Sequence, residues 1–236
     1  MSEQAQSNPL VRRPVAENAA AETRKMILTL SSVAALSGML IVGVYQYTLP
    51  YIEANREAMI EKAVFTVVPG GVQKRAYGFS DGAVIPDPAS AGFGERFYAV
   101  YGEDRSFLGT ALEASAQGYQ DTIRILYGYS PEKACVVGMT VLESKETPGL
   151  GDKIDLDPVF KANFKALDAA FDSASGKLVH EVTVTGHGKK INPWEIDAIS
   201  GATISSKAVG AMINRSLQTN LPRLLPHVDA LKENTP

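Results

Sequence analysis

The longest uncharged stretch of the chain runs from Met26 to Ile52. At a rise of about 1.5 Å per residue, about 20 apolar residues span the hydrocarbon core of a bilayer. The pattern therefore predicts one transmembrane anchor over residues 26–49. A cleaved signal peptide is the alternative, but the apolar run is too long for one and no clear Ala-x-Ala site follows it.

Two features inside this stretch support the anchor. Small residues lie among large ones, which is typical where another helix packs closely in lipid. Tyrosines collect at the C-terminal end, where amphipathic rings favour the membrane interface. These residues are Ala34, Ala35, Ser37, Gly38 and Gly43, followed by Tyr45, Tyr47 and Tyr51.

The basic residues around the anchor predict its orientation. Four precede it and two follow closely, namely Arg12, Arg13, Arg24 and Lys25, then Arg56 and Lys62. Because cytoplasmic flanks carry the excess of Lys and Arg, residues 1–25 are predicted to be a cytoplasmic tail, polar and mobile. The rest of the chain would then lie in the periplasm, and the protein would be a single-pass component of a bacterial inner membrane.

Beyond the anchor, the spacing of apolar positions changes from helical to strand-like. Residues 50–69 predict a stalk helix, which Pro69-Gly70-Gly71 would end. Strands are predicted at Phe97–Tyr101, Thr122–Tyr127, Ala134–Leu142 and Lys177–Val184. Helices are predicted at Pro158–Ala170 and Ile204–Leu217, the second with Ile204, Ala208, Met212 and Ile213 on its buried face. Residues 70–236 are therefore predicted to form one α+β domain with a mainly antiparallel sheet.

Composition narrows the chemistry that this domain can carry. Of 236 residues, 45% are apolar, which is enough for a hydrophobic core, and 21% are charged. The net charge of −3 argues against nucleic acid as a partner. Cys135 is the only cysteine and lies in an apolar run, so a buried hydrophobe is expected rather than a reactive thiol. The three histidines are far apart in sequence, which argues against a metal site.

Two short motifs carry the candidate chemistry. One is Asp197-Ala198-Ile199-Ser200-Gly201-Ala202-Thr203, and the other is Glu146-Thr147-Pro148-Gly149-Leu150-Gly151. In their order behind a single anchor, they resemble the D-x-x-[S/T]-G-A-T and E-T-P-G-L-G motifs of the FMN-binding domain in Rnf- and Nqr-type respiratory complexes. The length of the chain and the continuation through Lys153 resemble the Rnf G subunit more than the Nqr C subunit.

The resemblance implies a covalent cofactor. The hydroxyl of Thr203 would be esterified to the phosphate of FMN, which would make the chain a flavoprotein and, through the ester, a phosphoprotein. Ser200, Gly201 and Ala202 would shape the attachment loop. The second motif would lie against the flavin ring through Glu146, Thr147, Gly149 and Leu150.

The residue types suit these roles. Gly201 allows a close backbone approach to a phosphate. A helix beginning at Thr203 would offer that phosphate unpaired N–H groups and the positive end of its dipole. Ser205 and Ser206 would add hydrogen bonds, and Lys207 would offset charge. The competing interpretations are an ordinary Ser/Thr helix cap for the first motif and a rigid surface turn for the second.

Neighbouring residues leave several alternatives open. Lys145 and Lys153 would favour a reduced, anionic flavin, or are merely solvated. Trp194 would cover the flavin, or belongs to the core. Gly186-His187-Gly188-Lys189 suggests a phosphate loop, but a Walker A motif needs glycine at Thr183 and Ser or Thr at Lys190, so this interpretation is rejected.

The function implied by the resemblance is electron transfer. The chain would relay electrons through FMN as a subunit of an Rnf-type ion-translocating complex, alongside its other membrane and peripheral subunits, without catalysing a reaction of its own. A separate flavin transferase using FAD and Mg²⁺ would attach the cofactor. The chain lacks a G-x-G-x-x-G fingerprint, so NAD would bind elsewhere in the complex. The alternatives are an Nqr-type C subunit and, from another class, a non-redox membrane-anchored adaptor.

Overall fold

A computed structural model of the chain describes residues 15–80, 83–86 and 96–233. The first helix, α1, covers Val15–Val67. The strands are β1 Gln73–Ser80, β2 Ala83–Pro86, β3 Arg96–Tyr101, β4 Phe107–Gln117, β5 Thr122–Ser130, β6 Cys135–Glu143, β7 Leu167–Asp168, β8 Phe171–Asp172, β9 Lys177–Leu178, β10 Thr183–Thr185 and β11 Glu195–Asp197. The remaining helices are α2 Lys153–Leu156, α3 Pro158–Ala162, α4 Thr203–Leu224, the 3₁₀ turn Leu225–His227 and α5 Val228–Glu233. The chain divides after Arg56 into two compact units.

The described part of the first unit is helical throughout. No residue of its apolar stretch is buried, and the helix is long and apolar enough to cross a membrane. Residues 15–25, predicted to be mobile, are part of α1 because alanine dominates this segment and has the highest helix propensity. The first 14 residues of the predicted tail lie outside the described residues. The predicted anchor and the predicted stalk are both part of α1, which continues through Pro50.

The second unit is built on a seven-stranded sheet in the order β2-β1-β3-β4-β5-β6-β7, with every neighbouring pair antiparallel. This confirms the predicted α+β class. Helix α4 packs on one face through a core that includes Phe97, Tyr127 and Leu217. The last turns of α1 pack on the other face through Ile60 and Val64.

The end of α1 reaches the sheet where side chains are absent. Gly128 and Gly138 are directly paired on β5 and β6, and a Cβ atom at either would lie 2.1 Å or 2.6 Å from the carbonyl oxygen of Val67. Such distances are far below van der Waals contact. Glycine is therefore required at both positions for the helix to end against the sheet.

Several predicted elements are confirmed. The strands predicted at 97–101, 122–127 and 134–142 correspond to β3, β5 and β6, and the end of the stalk helix just before Pro69 is also correct. Cys135 is buried, and burial raises the pKa of its thiol, as expected for an unreactive cysteine.

Other predicted elements are wrong. The helix predicted over residues 158–170 ends at Ala162, because Leu167 and Asp168 pair with β6 instead. The strand predicted over 177–184 is interrupted and becomes β9 and β10. On α4, Ala208, Met212 and Ile213 are buried as predicted, but Ile204 in the first turn is 54% exposed.

Candidate functional site

The structure brings the two sequence motifs together around one cavity of about 370 Å³. One wall is the first turn of α4 with the loop before it, and another is the turn that follows β6. A third wall comes from the loop between β4 and β5. The lining residues are Tyr119, Glu146, Thr147, Leu150, Gly151, Gly201, Ala202, Thr203, Ile204 and Ser205.

Thr203 is the first residue of α4, and its side chain is exposed at the cavity. The N-cap position is Ala202, which supplies no side-chain hydrogen bond to the helix. The N–H groups of a first helical turn have no intrahelical partner, so here they remain available to an anion beside the Thr203 hydroxyl. Gly201 reaches this geometry at φ +85°, in the left-handed region that favours glycine.

The turn of the second motif is of type II, as predicted. The N–H of Leu150 donates to the carbonyl of Thr147 at 3.1 Å, and Gly149 at the third position has φ +76°. Leu150 projects from this turn and is 50% exposed. A Cβ atom built on Gly201 would lie 3.9 Å from the Cδ2 atom of Leu150, which is van der Waals distance. The two motifs are therefore adjacent in space.

Glu146 connects the three walls of the cavity through its buried carboxylate. Its carboxylate is buried and accepts hydrogen bonds from the Ser205 hydroxyl at 2.5 Å and from the N–H of Gln120 at 3.0 Å. Gly118 and Gly151 pack directly on this carboxylate, since a Cβ on either would lie within 2.5 Å of one of its oxygens. The first turn of α4, the 146–151 turn and the β4–β5 loop therefore share one buried anchor.

The ionised form of Glu146 is favoured despite its burial. Burial by itself would raise the pKa of this carboxyl. The hydrogen bonds from Ser205 and from the N–H groups of Gln120, Asp121 and Tyr119 outweigh burial, so the pKa lies below its ordinary value of 4.5. The carboxylate is thus charged at neutral pH.

Three residues predicted to contribute to cofactor binding in or just after the first motif do not line the cavity. Ser206 is fully buried, donates to the carbonyl of Ala202 at 2.9 Å and accepts from the N–H of Ile199 at 3.1 Å. Its hydroxyl therefore holds the loop before Thr203 from the buried side. Ser200 and Lys207 are exposed outside the set of residues that line the cavity.

The neighbouring residues with open alternatives also have defined places. Lys145 forms an ion pair with Asp121 at 3.3 Å on the surface. Trp194 is half-buried and stacks on His180 at 3.8 Å between ring centroids, and neither ring lines the cavity. Trp194 therefore neither lines the candidate flavin cavity nor lies fully buried in the core.

Sequence reasoning missed three contributors. Tyr119, at 68% exposure, and Ile204 line the cavity, and the Gln120 side chain accepts a hydrogen bond from the Thr147 hydroxyl at 3.0 Å. Residues 118–120 are far from both motifs in the chain, so no local pattern could assign them. Ile204 directly follows Thr203, but its apolar side chain also suited the buried face predicted for the helix, so the sequence did not distinguish a core residue from a cavity residue.

The arrangement fits a flavin mononucleotide. Tyr119, Leu150 and Ile204 are large apolar or aromatic side chains, each at least half exposed, and they surround the same cavity. A flat aromatic ring would cover them. The helix N-terminus with Thr203 suits a phosphate, and a cavity of this volume is within the range of small-molecule sites.

Comparison with known proteins agrees with this geometry. The model of a family described as the FMN-binding domain matches residues 118–218, a range that contains every cavity residue. The crystal structure of NqrC from Shewanella oneidensis shares the fold, with a TM-score of 0.58 at 17% identity over 77% of this chain and 100% of that chain. Fold and site together define a protein built on an FMN-binding domain.

The curated relatives specify the family. The G subunit of the ion-translocating oxidoreductase complex of Salmonella typhimurium (strain LT2) is 30% identical over 152 residues, which are 63% of this chain and 69% of that protein. The corresponding G subunit of Haemophilus influenzae (strain PittEE) is 29% identical over 196 residues, covering 82% of this chain and 88% of that protein. The chain belongs to the family of G subunits of ion-translocating oxidoreductase complexes.

Proposed function

We propose that this protein is the electron-transfer subunit of an Rnf-type ion-translocating complex and carries FMN as a phosphate ester on Thr203. The observation that supports the proposal most strongly is the meeting of the two motifs at one cavity, with the Thr203 hydroxyl exposed at a helix N-terminus. An ordinary helix cap does not account for the site, because Thr203 follows the cap position instead of occupying it.

Attachment would be a group transfer without a change of oxidation state. The Thr203 oxygen forms a bond to the FMN phosphorus of FAD, the bond from that phosphorus to the bridging oxygen breaks, and AMP leaves with that oxygen. The hydroxyl proton is released with the leaving group or to solvent. A flavin transferase that supplies FAD and Mg²⁺ is the partner for this step.

Once bound, FMN would supply reversible one- and two-electron chemistry. The residues of this chain would position it: the N–H groups of the first turn of α4 would hold the phosphate, and Leu150, Ile204 and Tyr119 would pack on the ring. Thr147 would be held in place by Gln120. Electron exchange with the other subunits would use the open side of the cavity, since these three lining side chains are each at least half exposed.

The relatives favour the G subunit over the Nqr-type alternative. The curated proteins that match along most of the chain are named as G subunits, whereas the resemblance to NqrC structures is one of fold. The match of the FMN-binding domain to a range that contains every cavity residue favours a flavin-carrying subunit over a non-redox adaptor.

The attachment is tested by reacting the purified chain with its flavin transferase, FAD and Mg²⁺, followed by mass spectrometry of the peptide that contains Thr203. We expect this peptide to gain the mass of FMN less one water molecule. An unmodified peptide in a preparation where the transferase labels another substrate would contradict the proposal.

Leu150→Ala should keep the flavin but change its surroundings. The ester would prevent dissociation, while burying a leucine side chain against a ring is worth about 1.5–3 kcal/mol. We expect full flavin stoichiometry with altered flavin fluorescence and a shifted reduction potential. Leu156→Ala, at a leucine that is 70% exposed and does not line the cavity, is the matched control. Identical spectra and potential in Leu150→Ala and the parent would show that the turn does not touch the ring.

We further propose that the flavin domain lies outside the cytoplasm of a bacterium, with α1 anchored in the inner membrane. The basic residues before the apolar stretch of α1 support this orientation. A reporter active only in the periplasm, fused after Pro236, should be active. Activity of a cytoplasmic reporter at the same position, with a silent periplasmic one, would reverse the orientation.

A further inference from the structure

The first residue of the attachment motif is held by a side chain outside both motifs. Asn163 follows α3, is 7% exposed, and contacts the backbone of Asp197 twice. Its Oδ1 atom accepts from the N–H of Asp197 at 3.0 Å, and its Nδ2 atom donates to the carbonyl of the same residue at 3.4 Å. The amide thus pairs with Asp197 as a neighbouring strand would.

The remaining hydrogen bonds of Asn163 fix the orientation of its amide. Oδ1 also accepts from the Lys190 ammonium at 3.2 Å, and Nδ2 also donates to the carbonyl of Phe160 at 3.0 Å. Since Lys190 and the Asp197 N–H can only donate, and both carbonyls can only accept, the reverse orientation of the amide would break all four bonds. A primary amide can donate two hydrogen bonds and accept two, and Asn163 makes all four.

The other end of the attachment loop is held from α4. Ser206 bonds to Ile199 and Ala202, as described above, so the segment between Asp197 and Thr203 is fixed at both ends. On its other side, Asp197 pairs with Thr185 in the short parallel sheet of β10 and β11. Without the Asn163 bonds, β11 would be an unpaired edge at the point where the chain turns towards Thr203.

We propose that Asn163 is a positioning residue for flavin attachment: its amide fixes the backbone of Asp197 and so presents Thr203 to the flavin donor in a reactive geometry. The inference rests on the proposed attachment at Thr203. Asn163 does not touch the reacting atoms. Its effect is on the fraction of chains whose loop is in the competent conformation.

Asn163→Asp is the test, because it keeps the shape and the Oδ1 acceptor but replaces the Nδ2 donor by an oxygen facing two carbonyls. The detergent-solubilised full chain is incubated with FAD, Mg²⁺ and a range of transferase concentrations, and covalent flavin is measured by in-gel fluorescence. Of the two hydrogen bonds lost, only the one to the Asp197 carbonyl holds the loop, and the loss of one buried hydrogen bond corresponds to about a tenfold change in a conformational equilibrium. We expect the rate at saturating transferase to fall about tenfold, with the half-saturating concentration unchanged, because the exposed surface around Thr203 is the same.

Asn220→Asp provides the matched control. Asn220 is also a buried asparagine whose Nδ2 donates, to Ser216 at 3.0 Å, but it lies near the opposite end of α4. At a temperature where both variants are folded, the Asn220→Asp variant should take up covalent flavin at the rate of the parent chain. Equal slowing of both variants, or a parent rate in folded Asn163→Asp, would overturn the inference.

The outcomes also separate this inference from the proposed function. A parent chain that takes no flavin at Thr203 would remove both, whereas a labelled parent with an unaffected Asn163→Asp variant would remove the inference alone. If Asn163→Asp fails to fold, the test uses a variant of Lys190, the exposed residue whose ammonium donates to Asn163 Oδ1. Lys190→Met should slow attachment about threefold, because one of the two bonds to Oδ1 is lost, and a parent rate there would overturn the inference.

Discussion

Thr203→Val is expected to abolish covalent flavin while leaving the fold intact. The variant keeps the size and branching of the side chain and removes only the hydroxyl that would carry the ester. Thr203 is exposed and does not cap α4, so the free energy of unfolding should change by less than about 0.5 kcal/mol. The measurement is flavin fluorescence of the chain on a denaturing gel, combined with its unfolding temperature before attachment.

Thr203→Ser is the control for this substitution. It restores a hydroxyl on the same backbone position, so labelling should return at least in part. Ser205 is no substitute for the lost hydroxyl, because it is buried and donates to Glu146. Fluorescence that persists in Thr203→Val would place the flavin on another residue.

Glu146→Ala is expected to cause the largest loss of stability among the site variants. It leaves the buried Ser205 hydroxyl without its acceptor, which costs about 1–3 kcal/mol, and it also removes the acceptor of the part-buried Gln120 N–H. A total of about 3 kcal/mol is expected in the unfolding free energy of the flavin-free chain, followed through the fluorescence of Trp194. Glu143→Ala, which removes a half-exposed carboxylate 3.6 Å from Arg124, should cost less than about 1 kcal/mol. Equal losses for the two variants would contradict a special role for Glu146.

The same carboxylate predicts a direction for the pH dependence. Because the folded-state pKa of Glu146 lies below 4.5, its ionisation stabilises the fold fully above pH 4.5, and this stabilisation is lost as the pH falls through the folded pKa. The stability difference between the parent and Glu146→Gln should therefore be constant near neutrality and shrink below pH 4.5. A difference that grows on acidification would contradict the depressed pKa.

Three strands of the sheet and the helix after Thr203 were predictable because their apolar periodicity continues over many residues, whereas β1 and the longest strand, β4, were not predicted. β3, β5 and β6 run through the core, and α4 repeats buried positions as far as Leu224. The predicted helix after Pro158 failed where local propensity competed with tertiary pairing. Residues 163–168 instead supply Asn163 to Asp197 and two residues to the edge of the sheet.

Sequence alone was sufficient to predict the apolar helix, the α+β class, the type II turn at Pro148-Gly149 and the two motifs whose residues Thr203 and Leu150 line one cavity. Each depends on residues close together in the chain, so periodicity, turn chemistry or a short motif is sufficient to specify it. The tertiary structure was needed to bring Tyr119 and Gln120 to the site, to connect its three walls through Glu146, and to pair Asn163 with the backbone of Asp197. These contacts join residues that are 26 to 59 positions apart, from Gln120 to Glu146 and from Glu146 to Ser205. No local pattern carries such pairings, because they arise only when the sheet and α4 pack together.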